Sequence, residues 1–106
     1  PASYLQEKAG EDRKGVFLAT IGEEAYKKGF SLLCKLRSSG IVTAIDYQKK
    51  SLKAQMRYAD KINMRHVIVL GDDELKAGSC LIRDMKDGSE KKVKLNEIAS
   101  ALRASQ

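Results

Sequence analysis

Apolar positions along the chain fall into short unbroken runs separated by stretches of helical spacing. GVFLATIG, residues 15–22, is bounded by glycines and too short for a helix, so it predicts a buried strand over Val16 to Ile21. Glu23 and Glu24 then supply negative charge where a first helical turn favours it. Ala25, Gly29, Leu32, Leu33 and Leu36 follow at helical spacing until Ser38, Ser39 and Gly40, which predicts a helix over about 23–38. IVTAIDY, residues 41–47, is rich in β-branched residues and reads as a second strand. Ser51 is a candidate N-cap for a second helix over about 51–63, with Leu52, Met56, Ala59 and Asn63 on one face. HVIVLG, residues 66–71, is a third buried strand, and DDELKAG is expected to be a polar turn.

The order to this point is βαβαβ, the pattern of parallel strands joined by crossover helices. The remainder changes character. SCLIRDM and EKKVKL are strand-like runs with Asp87, Gly88 and Ser89 between them, a hairpin signal that makes the fourth and fifth strands antiparallel. Asn96 is a candidate cap for a last helix containing Ile98, Ala99 and Leu102. The sum is an α/β domain with a mixed five-stranded sheet and about three helices on its faces. PASYLQEKAGEDRKG has no sustained apolar period, and the first residue is Pro1. Residues 1–14 are therefore expected to be a linker or a remnant of upstream chain, with the domain itself over 15–106.

A length of 106 residues suits one domain with one core. No run approaches the roughly 18 apolar residues of a membrane span, so a soluble protein without a membrane partner is expected. Cys34 and Cys80 each sit within an apolar pattern and are expected to be reduced core residues in a cytoplasmic protein. The net charge of +6 invites an anionic partner, and its distribution says more than its size. Residues 46–66 hold six cations, Lys49, Lys50, Lys53, Arg57, Lys61 and Arg65, against Asp46 and Asp60. The excess charge is concentrated around the second helix.

An enzyme would need a nucleophile, a base or a metal cluster, and the chain offers one histidine, two distant cysteines and no glycine-rich phosphate loop. His66, at the start of a strand, reads as structural. GDDE at 71–74 reads as a solvated turn in preference to a metal site. Binding is better supported. Ligands of a parallel βαβ sheet sit at the carboxyl ends of its strands, where Lys49 and Lys50 occupy the loop ahead of the second helix. Lys53, Arg57 and Lys61 repeat every four residues as one cationic stripe. Tyr47 adds a stacking face and Gln48 an amide, groups suited to splayed single-stranded bases. The bland alternative is a tyrosine closing the sheet edge beside a solvated lysine face.

ATIGEEA, then SLKAQMRYADK, then HVIVLGDDELKAG and a strand ending RDMKDG closely resemble the carboxyl-terminal anticodon-binding domain of histidyl-tRNA synthetases, over about residues 15–103. SLKAQMRYADK is the most specific segment. The resemblance implies a class II three-layer α/β/α domain with strand order 2-1-3-4-5. It also implies docking of the anticodon stem-loop of histidine tRNA, in a homodimeric parent whose separate upstream catalytic domain uses ATP and Mg²⁺. No cofactor is implied for this domain.

Carried over by position, the implied RNA face comprises Thr20, Gly22 and Glu23 after the first strand, Asp46, Tyr47, Gln48, Lys49 and Lys50 after the second, and Ser51, Lys53, Gln55 and Arg57 on the second helix. Lys49, Lys50, Lys53 and Arg57 are expected on phosphates, Tyr47 in base stacking, and Glu23, Gln48 and Gln55 at base edges. The loop QKK lacks a glycine that many relatives carry near this point. Competing readings are a regulatory paralogue of the synthetase, such as an adaptor of histidine biosynthesis or a tRNA sensor, a protein-interaction module, and a flavodoxin-like small-molecule enzyme.

Overall fold

The computed structural model describes residues 13–48 and 50–104. In chain order these form β1 (Val16–Ile21), α1 (Glu23–Ser38), β2 (Thr43–Ile45), α2 (Leu52–Lys61), β3 (His66–Gly71), α3 (Asp72–Lys76), β4 (Ser79–Asp84), β5 (Glu90–Lys94), a 3₁₀ turn (Leu95–Glu97) and α4 (Ile98–Ala104). The sheet runs β2-β1-β3-β4-β5. Its first three strands are parallel, and β4 and β5 are antiparallel additions.

Alternation along β1 sorts the core into two layers. Val16 and Leu18 face a cluster with Leu32, Leu33 and Leu36 of α1 and Ile98 and Leu102 of α4. Phe17 and Ala19 face the other way, onto Ala59 of α2, Met64 and Val67. Helices α1 and α4, with α3 through Leu75, thus cover one face of the sheet and α2 covers the other, which is the three-layer α/β/α arrangement. Gly29 lets α1 lie close against the sheet, because a Cβ there would stand 2.7 Å from Thr20 Cγ2.

Several expectations change. The second strand shrinks from 41–47 to Thr43–Ile45, because Asp46 turns the chain out of the sheet. DDELKAG is not a turn but opens with the helix α3, so there are four α-helices among the described residues. Asn96 caps nothing: it lies inside the 3₁₀ turn, whose N-cap is Lys94. Asn63 lies beyond α2 with φ of 64°, in the left-handed region. Cys34 is exposed. At 100° per residue it falls half a turn from Ala25, opposite the buried face of α1. Cys80 is buried as expected, and burial pushes its thiol up to about 11.

Of the expected linker, residues 1–12 lie outside the described residues. Arg13 and Lys14 belong to the fold: the Lys14 N–H donates to the Asn63 carbonyl, and Arg13 donates to the Met64 carbonyl and pairs with Asp60.

Candidate nucleic-acid interface

The carboxyl ends of β1, β2 and β3 and the amino ends of α1, α2 and α3 share one rim of the sheet. On the side of β2, the Asp46 carboxylate accepts from the backbone N–H of Gln48 (3.1 Å) and of Lys50 (2.9 Å), folding the loop back on itself. This makes Asp46 an organiser of the loop. Its acceptors face the chain, which lifts Tyr47, 59% exposed, and Gln48 toward solvent. Ser51 then caps α2 as its side chain accepts from the Ala54 N–H at 3.2 Å. The first turn of α2 carries no acidic residue, so the positive end of its dipole is left for an external anion.

Lys53 and Arg57 are exposed, and Lys61 continues the stripe at the same spacing. Lys50 stands with its ammonium 6.0 Å from the centre of the Tyr58 ring. Lys49 lies outside the described residues.

Gln55 is a correction. Expected at a base edge, it is 1% exposed, and its side chain is fully engaged with backbone. Its Oε1 accepts from the Thr20 N–H at 3.1 Å, while its Nε2 donates to the carbonyls of Thr20 (2.9 Å) and Lys50 (2.6 Å). One turn before the buried Ala59, it faces the sheet and ties the end of β1 to the loop before α2. Thr20 is likewise buried, with its own backbone groups spent on Gln55.

The other side of the rim is acidic. Asp72 Oδ1 accepts from the Ala25 N–H at 2.8 Å, so α1 is capped by a carboxylate far along the chain. Glu23 and Glu24 stand in the first turn of α1, and Asp73 and Glu74 in that of α3. Gly22 makes room for this cap: its φ is 108°, and a Cβ would stand 2.2 Å from Asp72 Oδ2. Among the described residues no three His, Cys, Asp or Glu side chains converge as a metal would require.

The expected residues therefore divide between two clefts. One of about 340 Å³ gathers Thr20, Gly22, Glu23, Lys50 and Ser51. The other, of about 360 Å³, gathers Asp46, Tyr47, Gln48, Lys50 and Gln55, together with Arg37, Tyr58 and Ile62, which were not anticipated. Lys53 and Arg57 line neither cleft and form the outer face of α2. Tyr58 could have been found in the sequence, since it is an aromatic residue between two cations of a basic helix. Arg37 could not, because only the fold brings the end of α1 beside β2.

The candidate catalytic groups do not meet. His66 lies at the opposite end of β3, buried, with Nε2 at 4.0 Å from Asp84 Oδ2. Burial holds its pKa below the ordinary value, against the pull of Asp84 and with smaller contributions from Arg65 and Lys91. Arg65 donates to both Asp84 oxygens, at 3.1 and 3.2 Å, and holds that carboxyl below the usual range.

Comparison with known proteins bears on the family and the fold. Residues 15–105 match the family model described as an anticodon binding domain. The chain is 47% identical over 94 residues to a histidine–tRNA ligase of Pelotomaculum thermopropionicum, covering 89% of this chain and 22% of that protein. It is 44% identical over 98 residues to the one of Symbiobacterium thermophilum, covering 92% and 23%. The chain thus spans about a fifth of the length of the curated relatives it matches. Apo histidyl-tRNA synthetase of S. aureus superposes with a TM-score of 0.79 at 30% identity, covering 86% of this chain and 27% of that one. The RNA binding domain of threonyl-tRNA synthetase from Cryptosporidium parvum shares the fold, with a TM-score of 0.76 at 14% identity over 86% of this chain and 23% of that one.

Proposed function

The chain belongs to the anticodon-binding domain family, and from that premise we propose that it docks the anticodon stem-loop of histidine tRNA for a longer histidine–tRNA ligase. The observation that carries this reading is the α2 stripe. Lys53 and Arg57 stand exposed on a helix whose amino end has no acidic residue and opens onto the loop bearing Tyr47, Gln48 and Lys50. Phosphates meet cations and a positive dipole end there, while bases meet an exposed ring and a free amide.

The parent ligase would join histidine to its tRNA with ATP and Mg²⁺ in another domain, as a cytoplasmic homodimer. This domain contributes recognition of the RNA. Lys50, Lys53 and Arg57 position the backbone, Tyr47 stacks, and Gln48 and Glu23 meet base edges. Thr20, Gly22, Asp46, Ser51 and Gln55 hold the rim in shape.

The test is binding of this chain to an anticodon stem-loop bearing GUG, beside one with a scrambled anticodon, across a salt series. Preference for GUG with a steep salt dependence supports anticodon reading. Equal binding of both leaves an RNA surface without sequence recognition, and absence of binding to either overturns the proposal. Lys53→Ala should weaken both complexes and lower the salt slope by about 0.7, the share of one phosphate on a single strand.

A further inference from the structure

We infer that the open edge of β5 is a second docking surface, which takes an extended acidic segment of a partner protein as a sixth strand of the sheet. β5 is the last strand in the sheet order, and its ladder with β4 fixes which groups it leaves outside. The Leu95 N–H donates to the Gly78 carbonyl at 3.0 Å, and at the other end the Asp84 N–H donates to the Ser89 carbonyl at 2.8 Å. In an antiparallel pair bonded and non-bonded positions alternate, so Lys91 and Val93 also turn their backbone toward β4. Glu90, Lys92 and Lys94 turn theirs outward, and all three residues are exposed. The edge of β2 differs: that strand is 3 residues long, and Arg37 Nε donates to its Thr43 carbonyl at 3.1 Å.

Charge decides what can lie there. Glu90 is held by Arg83 at 3.3 Å, whereas no ion pair engages Lys91, Lys92 or Lys94 among the described residues. A second copy laid along this edge would bring lysines against lysines, which is how natural sheets guard an open strand. The same charge admits a strand of opposite sign. Side chains of an added strand fall alternately on the two faces of the sheet. Carboxylates at alternate positions meet Lys92 and Lys94 on one face. The residues between them lie over a shallow groove of about 650 Å³, lined by Val93, Ser100 and Ala101 where β5 meets α4, which suits small β-branched side chains. The RNA rim is a separate surface: β5 lies four places from β2 in the sheet, about 19 Å across, and the acidic first turn of α3 stands at the rim between them.

The experiment titrates the chain with a capped peptide of alternating glutamate and threonine residues and follows amide hydrogen exchange by NMR. The amides of Glu90, Lys92 and Lys94 should gain protection, while those of Lys91 and Val93, already turned to β4, change little. A matched peptide of lysine and threonine, and a glutamate peptide with proline at its centre, should not bind. Lys92→Gln combined with Lys94→Gln should weaken the glutamate peptide about fivefold. At about 0.15 M salt the same variant should keep its affinity for the GUG stem-loop, because the rim lies beyond the screening length. Binding without the alternating protection, equal binding of the proline peptide, or no binding at all would overturn the proposal. So would a loss of stem-loop affinity as large as the loss of peptide affinity, which would assign these lysines to RNA. Protection at Lys92 that grows with the concentration of the chain alone would assign the edge to a second copy instead, and would overturn it as well.

Discussion

The two sides of the strand-end rim share a fold element and differ in chemistry. Both begin a helix at the carboxyl end of a parallel strand. On α1 the orphan Ala25 amide is met by Asp72, with Glu23 and Glu24 in the first turn, so the dipole is answered from within the protein. On α2 the cap is the neutral Ser51 hydroxyl, and no acidic residue follows it in the first turn. The difference teaches that position in an α/β sheet selects the rim, while the cap selects which part of the rim receives an anion. Glu23 and Gly22, implied by resemblance to belong to the RNA face, lie on the side that repels phosphate. A carboxylate there suits a base edge and nothing with charge.

The sharpest way to break this contrast is at the seam. Gln55→Leu removes the amide that satisfies three backbone groups of Thr20 and Lys50. It should cost about 3 kcal/mol in urea unfolding and, in the protein that remains folded, loosen the loop enough to weaken RNA binding. Full RNA affinity in that variant would mean that the basic side does not depend on its anchorage to β1. Gly22→Ala strikes the acidic side alone. It places a side chain at a positive φ and against Asp72, and should cost about 2 kcal/mol, with a smaller loss of RNA affinity in the folded protein than Gln55→Leu shows.

Asp72→Asn sharpens the contrast by removing charge and keeping an acceptor for the Ala25 N–H. About 1 kcal/mol of stability should be lost through the α1 dipole. RNA affinity should rise about threefold at low salt, with the gain vanishing at high salt. A fall in affinity would mean that the Asp72 charge itself aids binding.

The smallest effect concerns the far end of the sheet and serves as a control. The folded pKa of His66 lies below its unfolded value near 6.5, so the unfolded chain binds the proton first. Stability is whole above about pH 6.5 and declines as pH falls beneath it. The Asp84 carboxyl, depressed by Arg65, adds a second loss in stronger acid, below about pH 4. Thermal melts between pH 7.5 and 5.5 should therefore show a falling midpoint, and His66→Gln should flatten that slope. An unflattened slope would place the titration elsewhere.

Much of the fold was legible because its signals are local. The glycine-bounded run at 15–22, the spacing in 25–36 and the run at 66–71 each depend on a period or boundary within a few residues. Ser51 was readable for the same reason, since its partner is three positions away. DDELK was misread because its three acids look like a solvated turn, yet one of them caps a distant helix. Gln55 was misread because polarity outvoted position: it stands one turn before Ala59, on the face already marked as buried. The basic rim followed from composition, whereas the Arg37, Tyr58 and Ile45 cleft depends on three elements meeting, which spacing does not encode.

The anchorage of Arg13 and Lys14 has a mechanical consequence. Both grip the chain at the carboxyl end of α2, through Asp60, Asn63 and Met64, while the RNA-facing loop leaves from its amino end. Ten residues of helix separate the two, about 15 Å of stiff rod. With Gln55 tying its amino end to β1, α2 is thus held at both ends, and the rim it carries has a fixed distance from the point where Arg13 and Lys14 enter the fold.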